Sequence, residues 1–113
     1  MTHLNIFYGG VTLIITGTIR VESEEELARI KDALIRRAKR SREDEGNIDY
    51  AFAYNMEDPT EIHLTEKWDS EASLNAYLQI VDEEFSAVIS SAKVKSAVVI
   101  SYDAFNEREV LNR

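Results

Sequence analysis

A chain of 113 residues, 44% hydrophobic and 30% charged, suffices for one globular domain and is short for two. Thirteen Lys and Arg against 21 Asp and Glu leave a net charge of −8, which argues against nucleic acid or an anionic membrane as partner. With no cysteine and only two histidines, His3 and His63, disulfides, thiolate metal sites, cysteine nucleophiles and multi-histidine sites are excluded within one chain. The N-terminus does not read as a signal peptide, and no apolar run approaches the ~20 residues that span a bilayer, so a cytoplasmic protein is expected.

Gly9-Gly10 closes a short apolar segment, Leu4 to Tyr8, whose part as tail, extra strand or lid the sequence leaves open. Val11 to Val21 is β-branched and unbroken, and it reads as a central strand covered on both faces. Ser23 and Glu26 form a capping box that opens a helix. Leu27, Ile30, Leu34 and Ala38 recur along it at helical spacing. Acidic residues cluster at its start and basic ones from Arg36 to Arg42 at its end, each opposing the macrodipole charge there. Glu25–Arg29 and Asp32–Arg36 are expected i,i+4 pairs, and Gly46 the terminator.

Ile48, Tyr50, Phe52 and Tyr54 alternate with smaller or polar residues, a strand with one aromatic face. Met56 to Thr60 is turn sequence, with Pro59 unfit for a ladder. Ile62, Leu64, Glu66 and Trp68 alternate in the next strand, so the two strands should pair as a hairpin. Asp69 or Ser70 caps a second helix that bends near Asp82, and Val94 to Tyr102 is the last strand. The polar tail to Arg113 offers Phe105, Val110 and Leu111 as anchors.

The order β-α-β-β-α-β is the α+β, ferredoxin-like arrangement: a four-stranded antiparallel sheet with helices on one face. The whole chain, 1–113, is one domain with a core over about 11–103, an N-terminal arm over 1–10 and a tail over 104–113. The sheet face left without helices still carries apolar residues, so a second copy is expected to cover it as a homodimer.

No phosphate-loop, dinucleotide, zinc-protease or EF-hand motif occurs, and nothing around His63 resembles a nucleophile elbow. Glu61 and His63 share a strand face and read either as two metal ligands or as the polar side of a hairpin. The basic run 36–42 reads as an anion site or as a solvated helix end. Glu66 is the most informative residue, a carboxylate on the apolar parity of its strand, where ionisation costs free energy unless paired. It is either a polar group in a ligand cavity or a structural carboxylate bonded to backbone or to an arginine of the first helix or a partner. Tyr50, Phe52, Tyr54, Trp68, Tyr77 and Phe85 are either core or the lining of a pocket for a flat aromatic ligand.

The stretch from Ser41 to Tyr50, with Arg42, Asp44 and Gly46 between, resembles the "sR-x-E-x-G-x-x-x-Y" segment of the antibiotic biosynthesis monooxygenase domain. Asp58-Pro59 and then Glu66-Lys67-Trp68-Asp69-Ser70-Glu71-Ala72 resemble its "dP…E-x-W-x-S-x-E-A". The resemblance implies a homodimeric α/β barrel that oxygenates a small phenol, quinol or aromatic polyketide-like substrate with O₂, using no flavin, haem or metal. By position it implies Trp68, Glu66 and Tyr50 as catalytic residues. Tyr77, Phe52, Phe85 and Leu64 would then contact the substrate between sheet and helices. Many members carry a His nine residues after the Trp, where this chain has Tyr77; haem-degrading relatives need a His on that helix. The alternative is a non-catalytic dimeric ligand-binding or structural module of the same fold.

Overall fold

A computed structural model describes residues 11–113; the arm over 1–10, with its apolar segment Leu4 to Tyr8, lies outside the described residues. The elements are β1 (Thr12–Val21), α1 (Glu24–Ser41), β2 (Asn47–Asn55), β3 (Asp58–Trp68), α2 (Glu71–Leu78), α3 (Glu83–Ser91) and β4 (Val94–Ala104). The strands form one antiparallel sheet in the order β2-β3-β1-β4. This is the ferredoxin-like fold expected, with the second helix divided at Asp82, which caps α3 by accepting the Phe85 amide at 3.0 Å.

Strand register decides which residues meet the helices. Leu13 pairs with Trp68, Ile15 with Glu66 and Ile19 with Ile62, while Tyr50 pairs with Glu66 and Phe52 with Leu64. These share one face, and α1 lies over it. Leu27, Ile30, Leu34 and Ala38 are all buried, as their spacing requires. Each of the larger three contributes about 1.5–3 kcal/mol by leaving water. Gly17 keeps the face flat, since a Cβ there would stand 3.2 Å from Val99 Cγ2 and 3.4 Å from Leu64 Cβ.

Several local expectations are corrected. Helix α1 ends at Ser41, five residues before Gly46, because the loop folds back through Glu43 N–Arg40 O and Asp44 N–Ser41 O bonds of 3.1 Å. Gly46 has φ +84° and sits so close to α2 that any Cβ would collide with Ser73. Arg29 pairs with Glu26 and Arg36 with Glu84, not with Glu25 and Asp32. The hairpin turn is only Met56-Glu57; β3 begins at Asp58, and a register shift between Tyr54 and Asn55 carries the ladder past Pro59. A second shift between Asn47 and Asp49 takes Ile48 out of the aromatic row, and it is exposed.

β1 is covered on one face only. Ile14, Thr16, Thr18 and Arg20 face away from the helices, in register with Tyr102, Ile100, Val98 and Ser96 of β4. The β4 residues Val98, Ile100 and Tyr102 are exposed there, and so is Val99 on the other face. Phe105, Val110 and Leu111 of the tail are exposed rather than anchored.

Candidate functional site

The sequence flagged Glu66 because a carboxylate fell on an apolar row, and the fold places it there: 8% exposed, between Leu64 and Trp68. The indole N–H of Trp68 donates to Glu66 Oε1 at 2.9 Å. Among the described residues, Oε2 accepts no hydrogen bond. Burial raises the Glu66 pKa above the usual carboxylate range, and the Trp68 bond and the charge of Arg37 offset this in part. Such a group is a stronger base than an exposed carboxylate and sits nearer the pH at which it would work.

The aromatic residues close round this pair. Trp68 is fully buried, with its ring centre 4.7 Å from that of Tyr77. Tyr50 lies 6.1 Å from Tyr77 and meets Phe52 edge-on at 5.7 Å. Leu64 packs in the same cluster, with Leu13, Ile15 and Ala38. Phe85 belongs to a second cluster with Val21, Ile30 and Ile62, and Phe52 bridges the two. Trp68, Glu66, Tyr50, Tyr77, Leu64 and Phe52 are therefore brought together, while Phe85 stands behind Arg37, 4.3 Å from its guanidinium carbon. Trp68, Glu66, Tyr50 and Tyr77 are all buried within this cluster.

The hydroxyl of Tyr77 is already committed. Ser41 Oγ lies 2.5 Å from Tyr77 Oη and 2.7 Å from the carbonyl oxygen of Arg37. A carbonyl only accepts, so the single serine proton goes to Arg37 and Tyr77 donates to Ser41. The phenol thus has lone pairs but no free proton to offer a ligand. Burial pushes the Tyr50 phenol well above its ordinary pKa, with the neighbouring Arg37 opposing that only in part.

Sequence reasoning allowed for an arginine of the first helix in this region but did not single out Arg37. The basic run is a solvated helix end only in part: Arg36, Lys39 and Arg42 are exposed, but Arg37 reaches Asp82 at 3.2 Å, Arg40 reaches the same oxygen at 3.3 Å, and Arg42 donates to the Tyr50 carbonyl at 2.7 Å. The readable signal was position, since Arg37 lies three residues after Leu34 and seven after Ile30, inside the apolar stripe.

Two surface hollows border the domain. One, of about 290 Å³, lies between Asp44 and Glu45 of the α1–β2 loop and Ala72, Ser73, Ala76, Tyr77 and Ile80. Tyr77 is the residue it shares with the aromatic cluster. The other, of about 490 Å³, lies between the start of α1 and Tyr54 and Pro59, away from Glu66. On the far sheet face, Glu61 is occupied by Arg20 at 2.5 Å, Asn55 at 2.6 Å and His63 at 2.9 Å. Among the described residues no three His, Asp or Glu gather as a metal-binding group, and no helix is long and apolar enough to cross a membrane.

No functionally curated protein matches the chain. Solved structures share its fold. A candidate antibiotic biosynthesis monooxygenase from Deinococcus radiodurans is 20% identical, with a TM-score of 0.77 over 88% of this chain and 99% of that one. A conserved Bacteroides thetaiotaomicron protein of unknown function, described as a possible oxidoreductase, is 14% identical, with a TM-score of 0.73 over 84% and 99%. A candidate antibiotic biosynthesis monooxygenase from Nitrosomonas europaea is 15% identical, with a TM-score of 0.71 over 86% and 93%. The family model for antibiotic biosynthesis monooxygenases matches residues 12–89, from β1 through most of α3, and the chain belongs to that family.

Proposed function

We propose that the chain is a cofactor-independent oxygenase of a small phenol, quinol or aromatic polyketide-like ring, with Glu66 as the proton acceptor. The observation that carries this reading is the Glu66–Trp68 pair: a desolvated carboxylate with one oxygen held by an indole N–H and the other unpartnered among the described residues. A ring hydroxyl that gives its proton to Glu66 leaves an electron-rich anion able to reduce O₂. For a quinol the balance closes: one oxygen atom enters the ring, the other leaves as water, and the substrate supplies all four electrons as it becomes a hydroxyquinone. The incoming ring first occupies the hollow beside Tyr77 and reaches Glu66 when the Tyr77 ring swings aside, at the loss of its Ser41 bond. Tyr50 and Phe52 then flank the ring.

The closed cluster favours a second reading, a non-catalytic dimeric module in which these aromatics are plain core. In both readings a second copy covers the bare sheet face, where Ile14, Val98, Ile100 and Tyr102 form an apolar strip. Oxygen uptake with a panel of hydroquinones in chelator-treated buffer separates the two. The oxygenase consumes O₂ above the autoxidation rate, and Glu66→Gln removes the excess. Uptake no faster than autoxidation across the panel supports the module.

A further inference from the structure

The hollow of about 290 Å³ beside Tyr77 carries Asp44 and Glu45 on its α1–β2 wall, and Ser73 and Tyr77, among alanines and Ile80, on its α2 wall. Its polar side chains share one property. The Ser73 hydroxyl gives its proton to Asp69 Oδ1 at 2.6 Å, and the Tyr77 hydroxyl gives its own to Ser41. Asp44 and Glu45 are carboxylates, which only accept. Every polar side chain lining the hollow is therefore an acceptor with no proton left to offer. Asp44 is fixed by its backbone, whose amide donates to the Ser41 carbonyl and whose carbonyl accepts the Asn47 amide, both at 3.1 Å. Its Oδ2 is buried with no hydrogen-bond partner among the described residues. An acceptor so desolvated costs free energy that a donor would restore.

We propose that this hollow selects its ligand through acceptors alone. It takes a single neutral or cationic ring that presents hydroxyl or ammonium donors, and it rejects rings bearing carboxylate, sulfonate or phosphate, with Asp44 and Glu45 as the specificity-determining residues. Charge supports the assignment. Among the described residues no lysine or arginine lines the hollow, and Arg40 and Arg42, which precede Asp44 in the chain, are engaged at Asp82 and at the Tyr50 carbonyl. The positive end of α2 is already answered, since Ser70 accepts the Ser73 amide at 3.1 Å and Glu71 stands in the first turn. That end carries about half a charge, against two whole ones on Asp44 and Glu45. The volume lies at the foot of the ~300–1,000 Å³ usual for small-molecule sites, which suits one ring and its substituents. The inference deepens the oxygenase reading and rests on it for the ligand's being a substrate, while the selectivity itself is testable by binding alone.

The experiment compares three hydroquinones that differ in one ring substituent: hydroxymethyl, aminomethyl and carboxylate. Their dissociation constants are read under argon at neutral pH from the amide shifts of α2 in the full chain, and O₂ uptake is run beside them. The carboxylate should bind about tenfold weaker than the hydroxymethyl compound, and the aminomethyl one at least as tightly as it. Asp44→Asn with Glu45→Gln should cut the preference to about threefold or less. Glu24→Gln with Glu25→Gln removes the same charge at the other hollow and should leave the preference as it was. The proposal is overturned by a carboxylate that binds as well as the hydroxymethyl compound, or by no binding of any of the three. It is overturned equally by a preference that survives the Asp44 and Glu45 changes, or that the Glu24 and Glu25 changes also abolish. The expected order in a protein that consumes no O₂ removes the oxygenase reading and leaves a donor-selective binding site. O₂ uptake with the order reversed removes the selectivity and keeps the oxygenase.

Discussion

The two ends of one sheet differ sharply. Around β2 and β3, Trp68, Tyr50, Ile62 and Glu66 are closed off by α1 and α2 within a single chain. Along β4, one strand beyond β1, Val98, Val99, Ile100 and Tyr102 stand half in water on both faces. β4 is more apolar than the buried β3, so composition does not explain the contrast; what differs is that the helices stop short of β4. The lesson is that the candidate chemistry is complete in one chain, whereas the sheet is not, so stability and activity should respond to different substitutions.

The largest way to break the packed end is Trp68→Ala, which empties a fully buried indole and unpartners Glu66. Urea denaturation should show a loss of about 3–5 kcal/mol, and a loss under 1 kcal/mol would mean that this cluster does not hold the fold together. At the open end, Ile100→Asp puts a charge in the middle of the bare face. Light scattering should find wild type near twice the 12.9 kDa chain mass and the variant near one chain mass. A wild-type monomer at micromolar concentration would remove the second copy from the account.

Smaller changes sharpen the contrast. Tyr77→Phe deletes one buried hydrogen bond, and thermal or urea unfolding should report about 1 kcal/mol, with Ser41 still bonded to Arg37. Glu66 has a raised folded pKa, so its contribution to stability is full below the unfolded value of 4.5 and is lost as pH rises through the folded one. Glu66→Gln should therefore match wild type near pH 4 and gain on it by pH 7; a variant weaker at pH 7 would show that ionised Glu66 is stabilising. Glu26 behaves oppositely. The Arg29 bond and the Lys93 amide lower it to about 2, so its stabilisation is present above 4.5 and lost as pH falls through about 2. Glu26→Gln should flatten the acid limb of the stability curve and leave the neutral limb's slope unchanged.

Much of this was legible in the sequence, and the rest was hidden for physical reasons. The α1 stripe and the alternation through Tyr50 and Leu64 are local periodicities, so they read directly. Glu66 stood out because a charge broke an apolar row. Arg37 sits in the same kind of anomaly but inside a basic run that suits a helix end, so the macrodipole explanation masked it. The exposure of Ala97 to Ile100 had no local signal either, because a β-branched run reads the same whether a helix covers it or a second chain does. The Ser41–Tyr77 bond joins residues 36 apart in sequence and needed the fold to appear.

The most direct test of the account is isotopic. The protein is supplied with a hydroquinone under ¹⁸O₂ in chelator-treated buffer, and the product is weighed by mass spectrometry beside the Glu66→Gln variant. The account predicts one ¹⁸O atom in the hydroxyquinone from wild type and none from the variant above the autoxidation background. Equal labelling of the two products would contradict a role for Glu66, and absence of labelling from wild type would contradict the oxygenase itself.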